Sequence, residues 1–258
     1  MTSINLLPIL KVLLPVFAGA WLAGEIGHRL GAFRRERSGT VLAPGVGAMV
    51  GSLLALLAFM LAFTFGVAAE RFGTRRVLVV DEANAVSTAF LRADLMPPPW
   101  ADNLREHLRE YVDLRLEMAA SPEAVAAGLT RSEELHVLMW ADVLAGTEAR
   151  PVPTNALVLQ AINDVIDLHS SRVAATYYSR LSIAIWGMLF LVTASGMVAV
   201  GYQAGISGPR PSVVSLLLML ALSAVIALIV DLDRPGTGWL AVQQASLQDA
   251  AQMMRAPQ

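Results

Sequence analysis

The stretches without a charged residue constrain this chain more than any other feature. Residues 41–69 carry no charge over 29 positions, residues 181–209 none over 29, and residues 211–230 none over 20. A helix crosses the hydrocarbon core of a bilayer in about 20 apolar residues, so each stretch is long enough to span it. A fourth segment, INLLPILKVLLPVFAGAWLAG over 4–24, is interrupted only by Lys11. That Lys sits near one end, where its long stem reaches the interface. No basic residue precedes it, as a cleaved signal would require, so the segment reads as a retained span. Composition agrees: 16% of residues are charged, against about 25% in soluble domains, and mean hydropathy is +0.57.

The sequence therefore predicts an all-α integral membrane protein with four transmembrane helices in two hairpins. Residues 1–69 form the first hairpin, with spans near 4–24 and 45–68. Residues 181–232 form the second, with spans near 181–203 and 212–231. Between them lies a helical insert, 70–180, with 16 acidic residues against 11 Arg, a net charge of −5. Residues 233–258 follow as a C-terminal tail.

Within the insert, Val79, Ala83, Val86 and Phe90 recur at helical spacing, and span two has only Gly73 as a weak point before them. Pro97, Pro98 and Pro99 end that helix. A second helix places Leu104, Leu108 and Tyr111 on one side, with Arg109 and Asp113 spaced to pair at i, i+4. Ser121 before Pro122 reads as an N-cap, and Thr130-Arg-Ser-Glu133 as a capping box opening the next helix. After Pro151 and Pro153, Ile162, Ile166, His169, Val173 and Tyr177 share a stripe. No breaker separates this stripe from span three, so one continuous rod is expected.

Several function classes are excluded. The chain has no Cys, so it has neither a disulfide nor a thiolate metal site. A net charge of −2 offers nothing to nucleic acid. Glu25-Ile-Gly-His28 and Glu133-Glu-Leu-His136 have the spacing of paired metal ligands. A di-iron core needs two such pairs and two further Glu in one bundle, and these two lie far apart, so they read as coincidences. His169, on an apolar stripe, reads as a buried His with a hydrogen-bond partner. No phosphate loop, zinc-protease motif, nucleophile elbow or dinucleotide fingerprint occurs. No catalytic residue, metal or cofactor is expected, and the chain does not read as an enzyme.

The remaining candidates lie on helices. In span two Gly47 and Gly51 form a GxxxG extended by Ala55, suited to close packing within the chain or between subunits; Gly27 and Gly31 repeat the spacing in span one. Phe59 and Phe63, one turn apart, read as lipid-facing aromatics or as an apolar constriction that gates by dewetting. Past the membrane, Asp81, Asn84, Thr88 and Arg92 share an azimuth. Ala83, Ala85, Ala89 and Ala93 are interspersed, which favours a packed polar seam over a solvated face. After span four, DLDRPGTG supplies Asp231, Asp233, Arg234, Pro235 and Gly238. Two carboxylates fall short of the six or more oxygens of a hard cation site. A helix-exit turn with an Asp231–Arg234 pair is expected instead.

Three of these motifs together resemble the bestrophin-like family of bacterial membrane proteins. They are EANAVSTAFLRADL (82–95, with Glu82, Asn84, Thr88, Arg92 and Asp94), REYVDLR (109–115, with Tyr111, Asp113 and Arg115) and DLDRP with Gly238. Val86, Ser87 and Phe90 depart mildly from the family's usual EANAIGTAYLR. Bestrophins are pentameric anion channels with cytosolic termini, four membrane helices per subunit and a cytosolic helical insert. The resemblance thus implies a multi-pass protein of the bacterial inner membrane, a homo-oligomer, with insert and both termini in the cytoplasm. Basic residues near the span ends, five on one side against six on the other, leave the orientation open. Only Asp231 and Asp233 stand where the family's calcium clasp needs a dense acidic run.

Two functions follow. One is an oligomeric channel for small ions, anions first, with span two lining the pore; an acidic insert at its mouth would repel anions. The other is a non-conducting scaffold or sensor whose insert binds a partner.

Overall fold

In a computed structural model of the chain, residues 7–38, 45–208, 213–234 and 240–256 are described. They form eight α-helices and no strand. These are α1 (Leu7–Ser38), α2 (Val46–Arg92), α3 (Trp100–Ala120), α4 (Val125–Ala149), α5 (Asn155–Val173), α6 (Ile183–Ser207), α7 (Val213–Asp233) and α8 (Ala245–Arg255). Among the described residues, four helical stretches are long and apolar enough to cross a membrane: Ile9–Arg37, Val46–Leu95, Asn155–Ser207 and Val213–Asp233. In the second and third the uncharged, membrane-length parts are residues 46–69 and 183–207. This is an all-α integral membrane protein.

Contacts divide the chain into two compact units. The first, Met1–Phe72 with Arg180–Ala241, contains α1, α6, α7 and the first half of α2. Its tightest packing joins α1 to α6 through glycines. A Cβ at Gly27 would lie 2.0 Å from the Val198 carbonyl oxygen, and one at Gly201 would lie 1.9 Å from that of Gly24. Gly31 against the Tyr202 carbonyl oxygen, at 2.3 Å, and Gly205 against that of His28, at 2.2 Å, are nearly as close. Small residues admit such backbone approach, which lipid rewards because it offers no hydrophobic drive between helices. Leu57 and Leu61 of α2 meet Leu189 of α6 and Ile226 and Ile229 of α7 in a separate apolar cluster.

The second unit, Gly73–Ser179 with Val242–Gln258, contains the rest of α2, α3, α4, α5 and α8. Val86, Phe90, Leu104, Leu108, Tyr111, Leu135, Met139, Val158, Ile162 and Met254 form its core. The C-terminal α8 is a constituent of this unit, with Leu247 and Ala250 against Val79 and Ala83.

Several local expectations give way to tertiary partners. The rod from α5 into α6 is broken: a π-turn at Ala174–Tyr178 follows α5, and Ser182 caps α6 by accepting from the Ala184 N–H at 3.3 Å. The Leu181 N–H donates to Asp233 Oδ1 at 3.0 Å instead of to a helical carbonyl, which stops the ladder there. Thr130 opens no helix, since α4 starts at Val125 and Thr130 Oγ1 donates back to the Ala126 carbonyl. Ser121 Oγ donates to Glu123 Oε2 at 2.9 Å ahead of a short 3-10 turn and bonds no helix-start N–H. Arg109 and Asp113 turn to α8, Arg109 Nε donating to the Met254 carbonyl at 3.0 Å and Asp113 pairing with Arg255. By contrast α2 runs through Gly73 without a break.

Candidate functional site

Three features of the sequence take on particular geometry, two in the first unit and one in the second. In the membrane part of α2, Leu57, Leu61, Thr64 and Ala68 are buried. Gly47, Gly51, Ala55, Phe59 and Phe63 are exposed on the single chain, with Phe59 and Phe63 on the side opposite Leu57 and Leu61. Phe59 is 67% and Phe63 61% exposed. A Cβ on Gly51 would meet nothing within 4 Å, and one on Gly47 only the Gln203 side chain at 3.4 Å. Close glycine packing inside the membrane unit is therefore the work of Gly24, Gly27, Gly31, Gly201 and Gly205, while the GxxxG of span two faces outward.

The exit of α7 is built around its two acids, 5% and 8% exposed. Asp231 Oδ2 accepts from the Leu240 N–H at 2.8 Å. Asp233 accepts from Leu181 and stands 3.9 Å from Arg71 Nη1 of α2. These carboxylates hold backbone donors at the ends of two membrane helices. Arg234 is exposed; Pro235 and Gly238 lie outside the described residues.

The second unit contains a polar cluster inside its apolar core. Glu82, fully buried, projects from α2. Its Oε1 accepts from the Tyr111 hydroxyl at 2.6 Å and lies 3.0 Å from Arg115 Nε, both on α3. Its Oε2 accepts from Arg172 Nη1 on α5, and Arg172 Nη2 donates to Gln244 Oε1 at 2.6 Å, just ahead of α8. Tyr111 also meets His169 Nδ1 of α5 at 3.1 Å. The His169 ring stands edge-on to His136 of α4, centroids 4.6 Å apart. One carboxylate thus ties four segments of the chain together, and His136 adds α4.

Burial alone would raise the Glu82 carboxyl, but the adjoining Arg115 and Arg172 guanidiniums outweigh it and hold it below the usual range. Burial, with the Glu82 charge, pushes the Tyr111 phenol well above its ordinary value, so it stays a donor. His136 and His169 are each lowered to about 4, first by burial and then by Arg115. Both are neutral at physiological pH.

The family motifs sort accordingly. Glu82, Tyr111 and Arg115, read from two separate motifs, meet in this cluster. Asn84 and Thr88 are exposed and Asp81 half-buried, so their stripe is not packed within the chain. The alanines do pack: Ala83, Ala89 and Ala93 are buried. Arg92 Nη1 donates to the Leu157 carbonyl at 2.9 Å, and Asp94 pairs with Arg105. His136, Arg172 and Gln244 were missed as members. Their one sequence signal was the placement of His169 and Arg172 at i, i+3 on the buried face of α5. The partners are up to 90 positions apart, beyond any local pattern. Glu133, three residues before His136, is exposed, and Glu25 pairs with Arg29 at 2.7 Å.

Comparison with known proteins settles the family. A bestrophin-like domain matches residues 12–247. The chain belongs to the bestrophin-like family. No curated protein matches it. Its fold is similar to a crystal structure of a membrane protein variant, with TM-score 0.73 and 15% identity, covering 95% of this chain and 97% of that one. It is also similar to crystal structures of two variants of a bacterial bestrophin homologue from Klebsiella pneumoniae. These give TM-scores of 0.71 and 0.69 at 15% and 14% identity, each with the same coverage of 95% and 97%. At such identity the likeness is one of fold. The likeness of this bestrophin-like chain extends over nearly the whole length of both chains compared.

Proposed function

We propose that this bestrophin-like membrane protein assembles as a homo-oligomeric channel for small ions, anions first, with α2 lining the path. The observation that carries the reading is the uncovered face of α2. Phe59 and Phe63 stand out from the single chain on the side opposite Leu57 and Leu61. Copies arranged around that face would bring the Phe pairs into a ring, an apolar constriction of the kind that gates by dewetting. Gly47, Gly51 and Ala55, with little or nothing against them in the chain, would then be available to a neighbouring subunit. The acids Asp231 and Asp233 serve structure at the span ends. The insert and both termini are assigned to the cytoplasm of the bacterial inner membrane, and the reading gives the chain no catalytic role.

The test is conductance of the purified protein in planar bilayers, with its mass measured in parallel. An oligomer with anion-selective current is expected. Phe59→Ala with Phe63→Ala should raise open probability or conductance while leaving assembly intact. A monomer without current would overturn the reading and leave a non-conducting scaffold. A reporter fused after Gln258 checks orientation, and a periplasmic signal would reverse the assigned topology.

A further inference from the structure

We propose that the end of the membrane unit where α6 begins and α7 stops binds one anionic phospholipid. Arg180 and Arg234 hold its phosphate, and an acyl chain lies along α6 beside Gly187. This goes beyond the channel reading and does not depend on conduction.

The first argument is the division of charge at this end. Asp231 and Asp233, at the end of α7, are buried. Asp231 accepts from the Leu240 N–H, and Asp233 accepts from the Leu181 N–H with Arg71 Nη1 3.9 Å away. Glu70, beside Arg71 on α2, has a partner of its own. Arg180 and Arg234 are exposed, and among the described residues neither guanidinium has a hydrogen bond or ion pair. The acids are thus answered within the chain, while two free cations face the surroundings.

The second argument is that these two cations are placed together. Arg180 precedes Leu181 and Arg234 follows Asp233, and a 3.0 Å hydrogen bond joins Leu181 to Asp233. Chain neighbours have Cα atoms only about 3.8 Å apart, so both long stems start close enough for their heads to reach one group. A guanidinium presents paired N–H donors that match phosphate oxygens. Helix α6 starts at Ile183, and its N-terminus adds partial positive charge at the same point.

The third argument is the apolar track that runs on from them. Ile183 is 88% exposed, and Phe190, about 10 Å further along α6, is 44% exposed. Trp186 stacks on Phe190 with ring centroids 5.9 Å apart. Gly187 shares this face, and a Cβ there would meet nothing within 4 Å. The track therefore has open space at its middle, on a helix whose residues 183–207 are uncharged. Cations at headgroup level over such a track match an anionic glycerophospholipid. The membrane unit of a second copy would bring the same two exposed arginines to this end, with acids already buried or engaged, so it complements the site poorly.

The test titrates the purified full-length protein, in neutral detergent, with phosphatidylglycerol or with phosphatidylcholine of the same acyl chains. Retained lipid is counted by native mass spectrometry. Phosphatidylglycerol should bind roughly 30-fold more tightly, as two Arg side chains acting on an anionic headgroup imply. Arg180→Gln with Arg234→Gln should erase that preference. Arg34→Gln with Arg37→Gln removes the same charge from exposed positions near the far end of α1 and should leave it intact. Gly187→Leu fills the open space and should weaken phosphatidylglycerol binding at unchanged charge. A density map of the protein in phosphatidylglycerol nanodiscs should show a phosphodiester between Arg180 and Arg234. Equal retention of the two lipids would overturn the proposal, as would equal losses from the two Arg pairs or full binding by the Gly187→Leu variant. Complete displacement of the lipid by inorganic phosphate, or a neighbouring subunit seated against Gly187, would overturn it too. The lipid comparison and the map decide on the unmodified protein even where a variant fails to fold.

Discussion

The two units solve the same packing problem in opposite ways. In the membrane unit, helices α1 and α6 meet backbone to backbone, with glycine at the points of nearest approach. The hydroxyls of Thr64, Thr193 and Ser223 are spent on carbonyls of their own helices, so they do not bind helix to helix. In the insert unit a conventional apolar core surrounds a buried carboxylate and two guanidiniums. Lipid is as apolar as Leu, so only closer contact distinguishes the folded arrangement from its surroundings. Water supplies the hydrophobic drive, and the insert can then carry a charged centre that fixes which helices meet.

The sharpest way to break this contrast is Gly27→Ala. One methyl group would sit 2.0 Å from the Val198 carbonyl oxygen, against backbone that cannot yield cheaply. Loss of monodisperse protein on size exclusion is expected, while Gly51→Ala, with nothing within 4 Å, leaves the chain's own stability unchanged. Equal tolerance of both would mean that glycine contact does not hold the membrane unit.

Next in size is Glu82→Gln, which leaves two buried guanidiniums without a carboxylate. A loss of about 3–5 kcal/mol is expected in the insert, read as a fall in its thermal or denaturant midpoint. A near-neutral result would make the cluster incidental to that unit's fold.

A smaller effect is expected from pH. Folding depresses the two buried imidazoles from about 6.5 to about 4, so between these values the unfolded chain binds more protons than the folded one. Stability therefore rises with pH across that window and is lost as pH falls from about 6.5 toward 4. Thermal midpoints measured across this range should follow that slope, and His136→Phe should reduce it to the part that His169 contributes. A slope unchanged by the substitution would place the titrating groups elsewhere.

The smallest change is predicted for Asp113→Asn. Its partner Arg255 and Asp113 itself are both more than half exposed, and exposed pairs contribute less than about 1 kcal/mol. A larger loss in the unfolding midpoint would mean that α8 is pinned by charge more than by Leu247 and Met254.

Legibility followed the range of the interaction. The spans were readable because bilayer thickness sets a run length that any sequence must show. The insert helices were readable because burying Leu104, Leu108 and Tyr111 imposes a 3.6-residue period on neighbours in the chain. Local polar patterns misled where a distant group competed. Arg109 and Asp113 had the spacing to pair, yet the end of α8 captures both. The GxxxG of α2 and the glycines of α1 look alike as text, and only the position of α6 says which is pressed against backbone.

By itself, then, the sequence determined the all-helical class, the four membrane helices, the helical insert and the family, since each is written in run length, periodicity or contiguous motif. The tertiary structure alone decided that α8 belongs with the insert and that glycines of α1 and α6 seal the membrane unit. It also decided that Glu82 meets Tyr111, Arg115, His169 and Arg172 in one buried cluster. Those facts depend on residues far apart in the chain, 90 positions between Glu82 and Arg172 and 145 between Arg109 and Met254, and no local preference of the chain encodes which distant partner a buried charge will find.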